Sequence, residues 1–245
     1  MQGRIELILD GGQAEVGVES TVVSGLCDPP RVLRPGGVTV EMLREVGGVW
    51  RGCLAGGEGL RRVNGGGNGG SGVNGVKNGV KVECGKSGLV VEENGQEVPL
   101  VPGMKYRHYS PKAKVILYEQ NAQPPTVEKL LTSIHSTSSP SSPPSSSSIG
   151  IIRTRTWPAN WSSTLGHLLT RTGDGNGNAA QHVHPTIEEL SLGTSGAEIS
   201  RGLFAALREL DERGVAVIHV EGIGEEEEGL AVMNRLRKAA GEIVL

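Results

Sequence analysis

The chain has 245 residues, of which 36% are hydrophobic and 3% aromatic, while glycine alone contributes 38. This length suggests one or two domains, with a foldable part shorter than the whole chain because glycine- and serine-rich tracts bury little surface. The formal net charge of −3 gives no global attraction for nucleic acid, so a contact with double-stranded RNA or tRNA would have to be local.

Composition also argues against membrane and secreted classes of protein. No apolar stretch approaches the roughly 20 residues of a spanning helix, and residues 1–6 lack the charged start and apolar core of a secretory signal. Cys27, Cys53 and Cys84 are odd in number and widely spaced, which fits neither a disulfide framework nor a zinc site. We therefore expect a cytoplasmic protein with no membrane contact and no metal site.

The first 50 residues have the pattern of short strands followed by one helix. Apolar or β-branched runs predict three strands, at residues 5–9, 20–23 and 31–34. Thr39 is placed as the N-cap of a short helix whose apolar face would consist of Met42, Leu43 and Val46.

Low-complexity tracts then interrupt the chain. Residues 55–80 are so rich in Gly and Asn that ordering them would cost much backbone entropy, which predicts a disordered insertion. A Ser/Pro tract at 133–148 is predicted to be a second insertion.

The rest of the chain alternates apolar strand patterns with helical ones. Strands are predicted at 115–118, 149–152 and 215–220, and helices at 126–134, around Leu203, Leu207 and Leu210, and at 230–240. This alternation predicts a parallel sheet covered by helices.

Two patterns point to ligand chemistry. Ser20 and Thr21 follow a flexible glycine, and such hydroxyls can donate to a carboxylate or a phosphate. Arg34, fixed by the following proline, suits a phosphate clamp; alternatively, Ser20 and Thr21 merely fit a pleated surface and Arg34 forms a surface ion pair. The second pattern is the segment 106–109 between prolines, which could cover a pocket or serve as an interdomain strut.

These residues carry a family resemblance. Asp10-Gly11-Gly12, Gly17 to Val23 and Leu33 to Gly36 together resemble the latter part of the YrdC-like domain of L-threonylcarbamoyl-AMP synthases. Residues 102–111 resemble the linker of the two-domain form of that enzyme, and residues 203–240 are similar to its Rossmann-like C-terminal domain. The family pattern implies that the first part of the YrdC-like domain is missing from this chain.

The resemblance implies an α/β fold with four successive parts. These are a partial YrdC-like domain over residues 1–54, the Gly/Asn-rich insertion over 55–80, an interdomain linker over 81–112 and a Rossmann-like parallel-sheet domain over 113–245.

The resemblance also implies a nucleotidyltransferase that condenses L-threonine, bicarbonate and ATP into threonylcarbamoyl-adenylate for tRNA modification. ATP would be a substrate accompanied by Mg²⁺, with no tightly bound cofactor, and a tRNA-modifying transferase complex would take the product. Ser20 and Thr21 would bind the threonine or carbamate end, and Arg34, Tyr106 and His108 would bind ATP. No catalytic residue is assigned.

One alternative to this enzyme function stays open. The chain could be a non-catalytic fragment that acts as a nucleotide- or partner-binding Rossmann-like module. No Gly-x-Gly-x-x-Gly follows either early strand of residues 113–245, which argues against a dinucleotide site there.

Overall fold

A computed structural model describes residues 6–7, 9, 11–12, 14–26, 28–55, 75–77, 80–85, 88–93, 96–97, 110–135, 148–161, 163 and 185–245. Among them, no helix is both long and apolar enough to cross a bilayer.

The first part of the chain forms a small two-stranded unit. Strand β1 (Val22–Ser24) pairs antiparallel with β2 (Arg31–Arg34), followed by helix α1 (Val40–Glu45) and a 3₁₀ helix (Gly48–Gly52). The side chain of Thr39 accepts a hydrogen bond from the Met42 backbone N–H at 3.2 Å, which confirms the predicted N-cap.

Two predictions for this unit are wrong. Glu6, Leu7 and Leu9 lie outside any strand, and the two leucines are 74% and 89% exposed. Alternating apolar residues favour a strand, but a strand also needs a partner to pair with. The predicted apolar face of α1 is wrong in part: Leu43 packs against the small cluster as predicted, but the buried residue of the helix is Val40, and Met42 and Val46 are exposed.

Four strands lie between residues 75 and 97, a range that covers the end of the predicted insertion and the start of the predicted linker. They are β3 (Gly75–Lys77), β4 (Val80–Gly85), β5 (Gly88–Glu93) and β6 (Gln96–Glu97). They pair in sequence order as an antiparallel sheet. The domain boundaries at residues 54, 80 and 112 stay predictions.

The predicted parallel sheet is confirmed in the last part of the chain. Its elements are β7 (Lys114–Tyr118), α2 (Val127–His135), β8 (Ile149–Arg153), β9 (Ile187–Ser191), α3 (Gly196–Glu212), β10 (Val217–Glu221), α4 (Gly229–Ala239) and β11 (Glu242–Val244). The strand order is β11-β7-β10-β8-β9, and every pairing is parallel.

Helices cover both faces of this sheet. On one face, Val115 and Leu117 pack with Leu203, Leu207 and Leu210 of α3 and with apolar residues of α4. On the other face, residues of opposite strand parity pack against α2 and two buried tryptophans, Trp157 and Trp161. Successive residues of a strand point to opposite faces of the sheet. Each strand therefore contributes alternate side chains to the two clusters.

A buried hydrogen-bonded network links α2 to the middle of the sheet. His219, fully buried in β10, lies 3.0 Å through Nδ1 from the Tyr118 hydroxyl and 3.0 Å through Nε2 from Ser133 Oγ. Ser133 Oγ donates to the Leu130 carbonyl oxygen at 2.6 Å. The Tyr118 hydroxyl can therefore donate to Nδ1 of a neutral ring whose Nε2–H donates to Ser133, so all three groups are satisfied.

Burial keeps His219 in its neutral form. Burial, and then the nearby charge of Lys129, lower the pKa of His219 to about 4, with Lys114 acting in the same direction and Glu242 opposing it. Glu242 itself accepts from Lys114 at 2.7 Å and from Lys129 at 2.6 Å, and these bonds lower its pKa to about 2.

We expect acidification from pH 7 to pH 5 to lower the free energy of unfolding by about 2 kcal/mol through His219. The unfolded chain takes up a proton on this ring as the pH falls through about 6.5, whereas the folded chain excludes it until about pH 4. Urea unfolding of the wild type and of His219→Gln at both pH values measures this difference.

The variant should be less stable at pH 7 and should lose about 2 kcal/mol less on acidification. Glu242, with its pKa lowered to about 2, contributes stability that is lost mainly below pH 4.5, outside this window. Equal pH dependence of the two proteins would contradict the role of His219.

Candidate functional site

Arg34 and Ser20, which belong to the same sequence pattern, are in direct contact. The Arg34 guanidinium donates to the Ser20 carbonyl oxygen from Nε at 3.2 Å and from Nη2 at 2.9 Å, and Nη2 lies 3.4 Å from Ser20 Oγ. Arg34 is the last residue of β2 and pairs in register with Val22, so the strand pairing places its side chain beside the segment that enters β1.

Gly36 allows this close approach of two backbone segments. A Cβ at residue 36 would lie 2.1 Å from the Glu19 carbonyl oxygen and 2.5 Å from the Thr21 nitrogen. The backbone N–H of Gly37 donates to the same Glu19 oxygen at 3.0 Å. A side chain at position 36 would therefore push the two segments apart.

Thr21 uses its hydroxyl to hold residues 19–21 against residues 36–38, and these two segments together form the turn at Ser20. Its Oγ1 donates to the Val38 carbonyl oxygen at 2.6 Å and accepts from the Val38 backbone N–H at 3.0 Å. Ser20 is exposed and Thr21 is half-buried. The structure thus brings Ser20, Thr21 and Arg34 together at one turn, while Tyr106 and His108 lie outside the described residues. Substrate binding by these five residues stays a prediction.

Helix α4 of the parallel-sheet domain docks onto this turn. Buried Arg235 forms an ion pair with Glu19, with Nε 2.5 Å from Glu19 Oε2. Leu230, on the same helix, packs against the small apolar cluster of Val32, Val40 and Cys53. One helix therefore makes both a polar and an apolar contact with the β1–β2 unit.

Helix α3 makes a second contact with the segment before Ser20. Arg201 Nε donates to the Glu15 carbonyl oxygen at 3.0 Å, and a Cβ at Gly17 would lie 2.3 Å from the Arg201 Cα. Beside this contact is a cavity of about 370 Å³ between residues 12–19 and the α3 side chains Arg201, Phe204 and Arg208. The segment that leads to Ser20 is thus fixed against both helices.

The electrostatics of this turn are set by residues that the sequence reasoning missed. Burial, together with the charges of Arg235 and Arg34, lowers the pKa of Lys238, and Glu19 partly opposes this. Glu19 and Arg235 are 216 residues apart, so no local pattern pairs them. The only hint in the sequence was the presence of charged residues, including Arg235 and Lys238, on the otherwise apolar predicted helix 230–240.

The carboxyl edge of the parallel sheet is occupied by carboxylates of the chain itself. Buried Glu221 accepts hydrogen bonds from the backbone N–H groups of Thr154, Thr156 and Trp157 and from the Thr156 hydroxyl, at 2.5 to 3.1 Å. Nearby, Arg237 pairs with Glu119 and Glu225 beside a cavity of about 480 Å³. Parallel sheets often bind phosphates at this edge, but these carboxylates disfavour an anion.

We expect the Glu19–Arg235 pair to couple the β1–β2 unit to α4 by about 1–3 kcal/mol, because Arg235 is buried and its loss leaves Glu19 without this partner. A double-mutant cycle with Glu19→Gln and Arg235→Met, followed by chemical unfolding, measures the coupling.

The matched cycle uses Glu188→Gln and Arg213→Met. Those side chains are 37% and 40% exposed, so their coupling should stay below about 1 kcal/mol. A Glu19–Arg235 coupling no larger than that of the exposed pair would contradict the expectation.

Curated relatives match almost the whole chain. A Schizosaccharomyces pombe protein named threonylcarbamoyl-AMP synthase is 37% identical over 249 residues, which cover 99% of this chain and 47% of the relative. Proteins of the same name from Pyrococcus abyssi and Bacillus subtilis are 32% and 29% identical, covering 98% and 100% of this chain and 50% and 51% of their own lengths. The chain thus spans about half the length of these relatives.

Solved structures agree with this similarity. The crystal structure of P. abyssi Sua5 complexed with L-threonine is 29% identical with a TM-score of 0.54, over 99% of this chain and 52% of that one. A P. abyssi Sua5 variant in which adjacent histidine and tyrosine residues are replaced by alanine is also 29% identical, with a TM-score of 0.55 over 100% and 51% of the two chains.

A family model supports the same assignment. The model described as "Threonylcarbamoyl-AMP synthase, C-terminal domain" matches residues 38–241, which include every strand of the parallel sheet except the edge strand β11. The chain therefore belongs to the threonylcarbamoyl-AMP synthase C-terminal domain family.

Proposed function

We propose that this chain is part of a threonylcarbamoyl-AMP synthase, and that its turn at Ser20 and Arg34 belongs to the substrate site. The observation that carries the proposal is the contact of Arg34 with Ser20, in a chain whose relatives are named for this activity. A cation fixed beside an exposed hydroxyl suits a substrate that combines a carboxylate with a phosphate.

The proposed reaction joins L-threonine, bicarbonate and ATP. The threonine nitrogen forms a bond to the bicarbonate carbon with loss of water, which gives a carbamate. A carbamate oxygen then attacks the α-phosphorus of ATP, the bond from that phosphorus to the bridging oxygen breaks, and pyrophosphate leaves. Mg²⁺ accompanies ATP as a substrate complex, and no tightly bound cofactor is required.

Each predicted residue has a role in this proposal. Ser20 and Thr21 bind the threonine or carbamate end, where the L-threonine complex of P. abyssi Sua5 gives a precedent for the amino acid. Arg34 offsets phosphate charge, which matters most as negative charge shifts during transfer. Tyr106 and His108 close over the nucleotide and exclude water, because both carbamate and mixed anhydride hydrolyse readily.

The product serves tRNA modification in the cytoplasm. Threonylcarbamoyl-adenylate carries an activated acyl group, so it would pass to a transferase complex that modifies tRNA. A direct contact of this chain with double-stranded RNA or tRNA would be local, because the net charge is −3.

The alternative is a nucleotide- or partner-binding module without catalysis. The carboxylates at the carboxyl edge of the sheet weigh against a nucleotide there. The synthase is therefore the function that we test.

We expect chain 1–245 alone to release no pyrophosphate from ATP in the presence of threonine and bicarbonate. A chimaera in which the unmatched half of the S. pombe relative precedes this chain should release pyrophosphate only when threonine is added. Coupled phosphate detection measures both. A folded chimaera with no threonine-dependent release would contradict the proposed function, and release by chain 1–245 alone would contradict the expected need for the half of the relative that this chain does not match.

We expect the double substitution Tyr106→Ala and His108→Ala in the chimaera to lower the rate of product formation at least tenfold with little change in melting temperature. The reason is the proposed exclusion of water by these side chains. This segment carries the adjacent residues His108 and Tyr109, and an adjacent His–Tyr pair was also replaced by alanine in a P. abyssi Sua5 variant of solved structure.

The conservative pair Tyr106→Phe and His108→Gln is the control for this experiment. It keeps a ring and a hydrogen-bond donor, so it should keep most of the activity. If the alanine variant melts at a lower temperature but is fully active per folded molecule, the segment is a strut instead of a lid.

A further inference from the structure

A buried ion pair lies directly beside the turn at Ser20. Arg235 of α4 is 5% exposed, and its Nε lies 2.5 Å from Oε2 of Glu19, the residue that precedes Ser20. Helix α4 belongs to the parallel-sheet domain, whereas Glu19 belongs to the segment that enters β1. The charge of Glu19 is therefore paired with a cation from outside the β1–β2 unit.

Stability alone does not account for a pair of this kind. Moving two charged groups out of water costs free energy, and replacing a buried ion pair by apolar side chains is often neutral or stabilising. Leu230 already gives α4 an apolar contact with the cluster at Val32 and Val40. Apolar contacts can thus dock the helix, and the position of the pair beside Ser20 points to a further role.

The backbone at Glu19 is held on both sides of its side chain. The Glu19 carbonyl oxygen accepts a hydrogen bond from the Gly37 N–H at 3.0 Å, and the next carbonyl oxygen, that of Ser20, accepts one from the Arg34 guanidinium at 2.9 Å. With these peptide groups fixed, the Glu19 side chain cannot leave the turn through a change of the backbone. If Arg235 were absent, a carboxylate charge would remain next to Ser20.

An uncompensated carboxylate at this place would act against the proposed substrates. Threonine ends in a carboxylate and ATP carries several negative phosphate charges, and like charges repel each other more strongly where water is partly excluded. The Glu19 side chain is 29% exposed, so water screens its charge only in part. The pairing with Arg235 reduces this repulsion.

We propose that Arg235 is a positioning residue that neutralises Glu19, so that the turn at Ser20 can accept an anionic substrate. Arg235 acts through Glu19 and not by contact with the substrate. The identity of the substrate rests on the proposed function, whereas the charge compensation rests on the contacts of this chain. Through this ion pair, the parallel-sheet domain contributes to the electrostatics of a site in the β1–β2 unit.

A thiol introduced by Ser20→Cys reports the local charge in chain 1–245 without any need for activity. Ser20 is exposed, and a thiol is alkylated through its thiolate form, whose fraction at pH 7 falls when a negative charge lies nearby. Alkylation with iodoacetamide, followed by peptide mass spectrometry, measures the rate at residue 20 separately from the rates at the native cysteines.

In the Ser20→Cys background, we expect Arg235→Met to slow this alkylation at least about threefold at pH 7, because the charge of Glu19 is no longer compensated. Glu19→Gln should accelerate it at least about threefold, since the charge of Arg235 then acts alone. The double variant should lie within about twofold of the Ser20→Cys parent. If the pair serves docking only, both single variants will change the rate in the same direction and the double variant will be no closer to the parent, which would overturn the proposal.

The matched control is Arg213→Met. It removes an exposed arginine that pairs with Glu188 and Glu209, so it changes the net charge equally and should leave the rate at residue 20 unchanged. Glu19→Gln covers the case in which Arg235→Met does not fold, because Glu19 is only half-buried. An unchanged rate in Glu19→Gln would overturn the proposal by itself.

An active chimaera tests the consequence for substrate binding. Arg235→Met should raise the KM for ATP about tenfold and change kcat less than about threefold, because the repulsion acts on binding. Adding Glu19→Gln should restore the KM. Loss of folded enzyme would lower the apparent kcat instead, and a KM that stays raised in the double variant would overturn the proposal.

The two experiments separate this proposal from the proposed function. Charge-dependent alkylation at residue 20 together with an inactive chimaera would retain the compensation of Glu19 by Arg235 and overturn the synthase function. An active chimaera whose KM for ATP is unaffected by Arg235→Met would overturn the role of Arg235 and leave the synthase function standing.

Discussion

Helix α4 is the element on which the arrangement of the two regions depends, because it takes part in two separate clusters. Val232, Met233 and Leu236 belong to the core between the parallel sheet and its covering helices, while Leu230 packs on the small cluster at Val32 and Val40. A helix that is apolar on more than one side is normally buried on each of them. The orientation of α4 on the sheet therefore determines where the turn at Ser20 lies.

The β1–β2 unit depends on this support because its own core is small. Its buried cluster consists of Val32, Val40 and Cys53, whereas Leu26 and Val46 are 85% and 72% exposed. A unit of this size buries too little apolar surface for independent stability. The contacts from α3 and α4 hold it in position, and the relatives, with about twice the length of this chain, have further sequence that could cover such side chains.

The parts of the fold that could be predicted from sequence are those that follow a local period. Leu203, Leu207 and Leu210 recur at helical spacing and all are buried in α3, and the apolar runs at β7, β8 and β10 pair as predicted. Strand β9 was missed because it contains Glu188 and Glu189. These carboxylates are compatible with the sheet because Arg213 and Arg153 pair with them, and such partners are distant in sequence.

The candidate site likewise contains some residues that a local sequence pattern indicates and others that it does not. Ser20, Thr21 and Arg34 could be identified because hydroxyl and guanidinium groups follow one another closely within a short stretch with glycine and proline. Glu19, Arg235 and Lys238 could not, because their relation comes from the docking of α4, which no local pattern encodes. The 154–157 loop around Glu221 was missed for a similar reason, since the pairing of β8 with β10 brings it to that carboxylate.

The position of Glu221 has a consequence for how the parallel sheet is used. The N–H groups of the 154–157 loop face a carboxylate that belongs to the chain itself, as they would face the phosphate of a bound cofactor. The loop is therefore ordered when the chain folds, and no bound small molecule is needed to fix its conformation. Glu221 takes the place at this edge of the sheet that a ligand would have. The sheet then has the role of holding α4 in a fixed position.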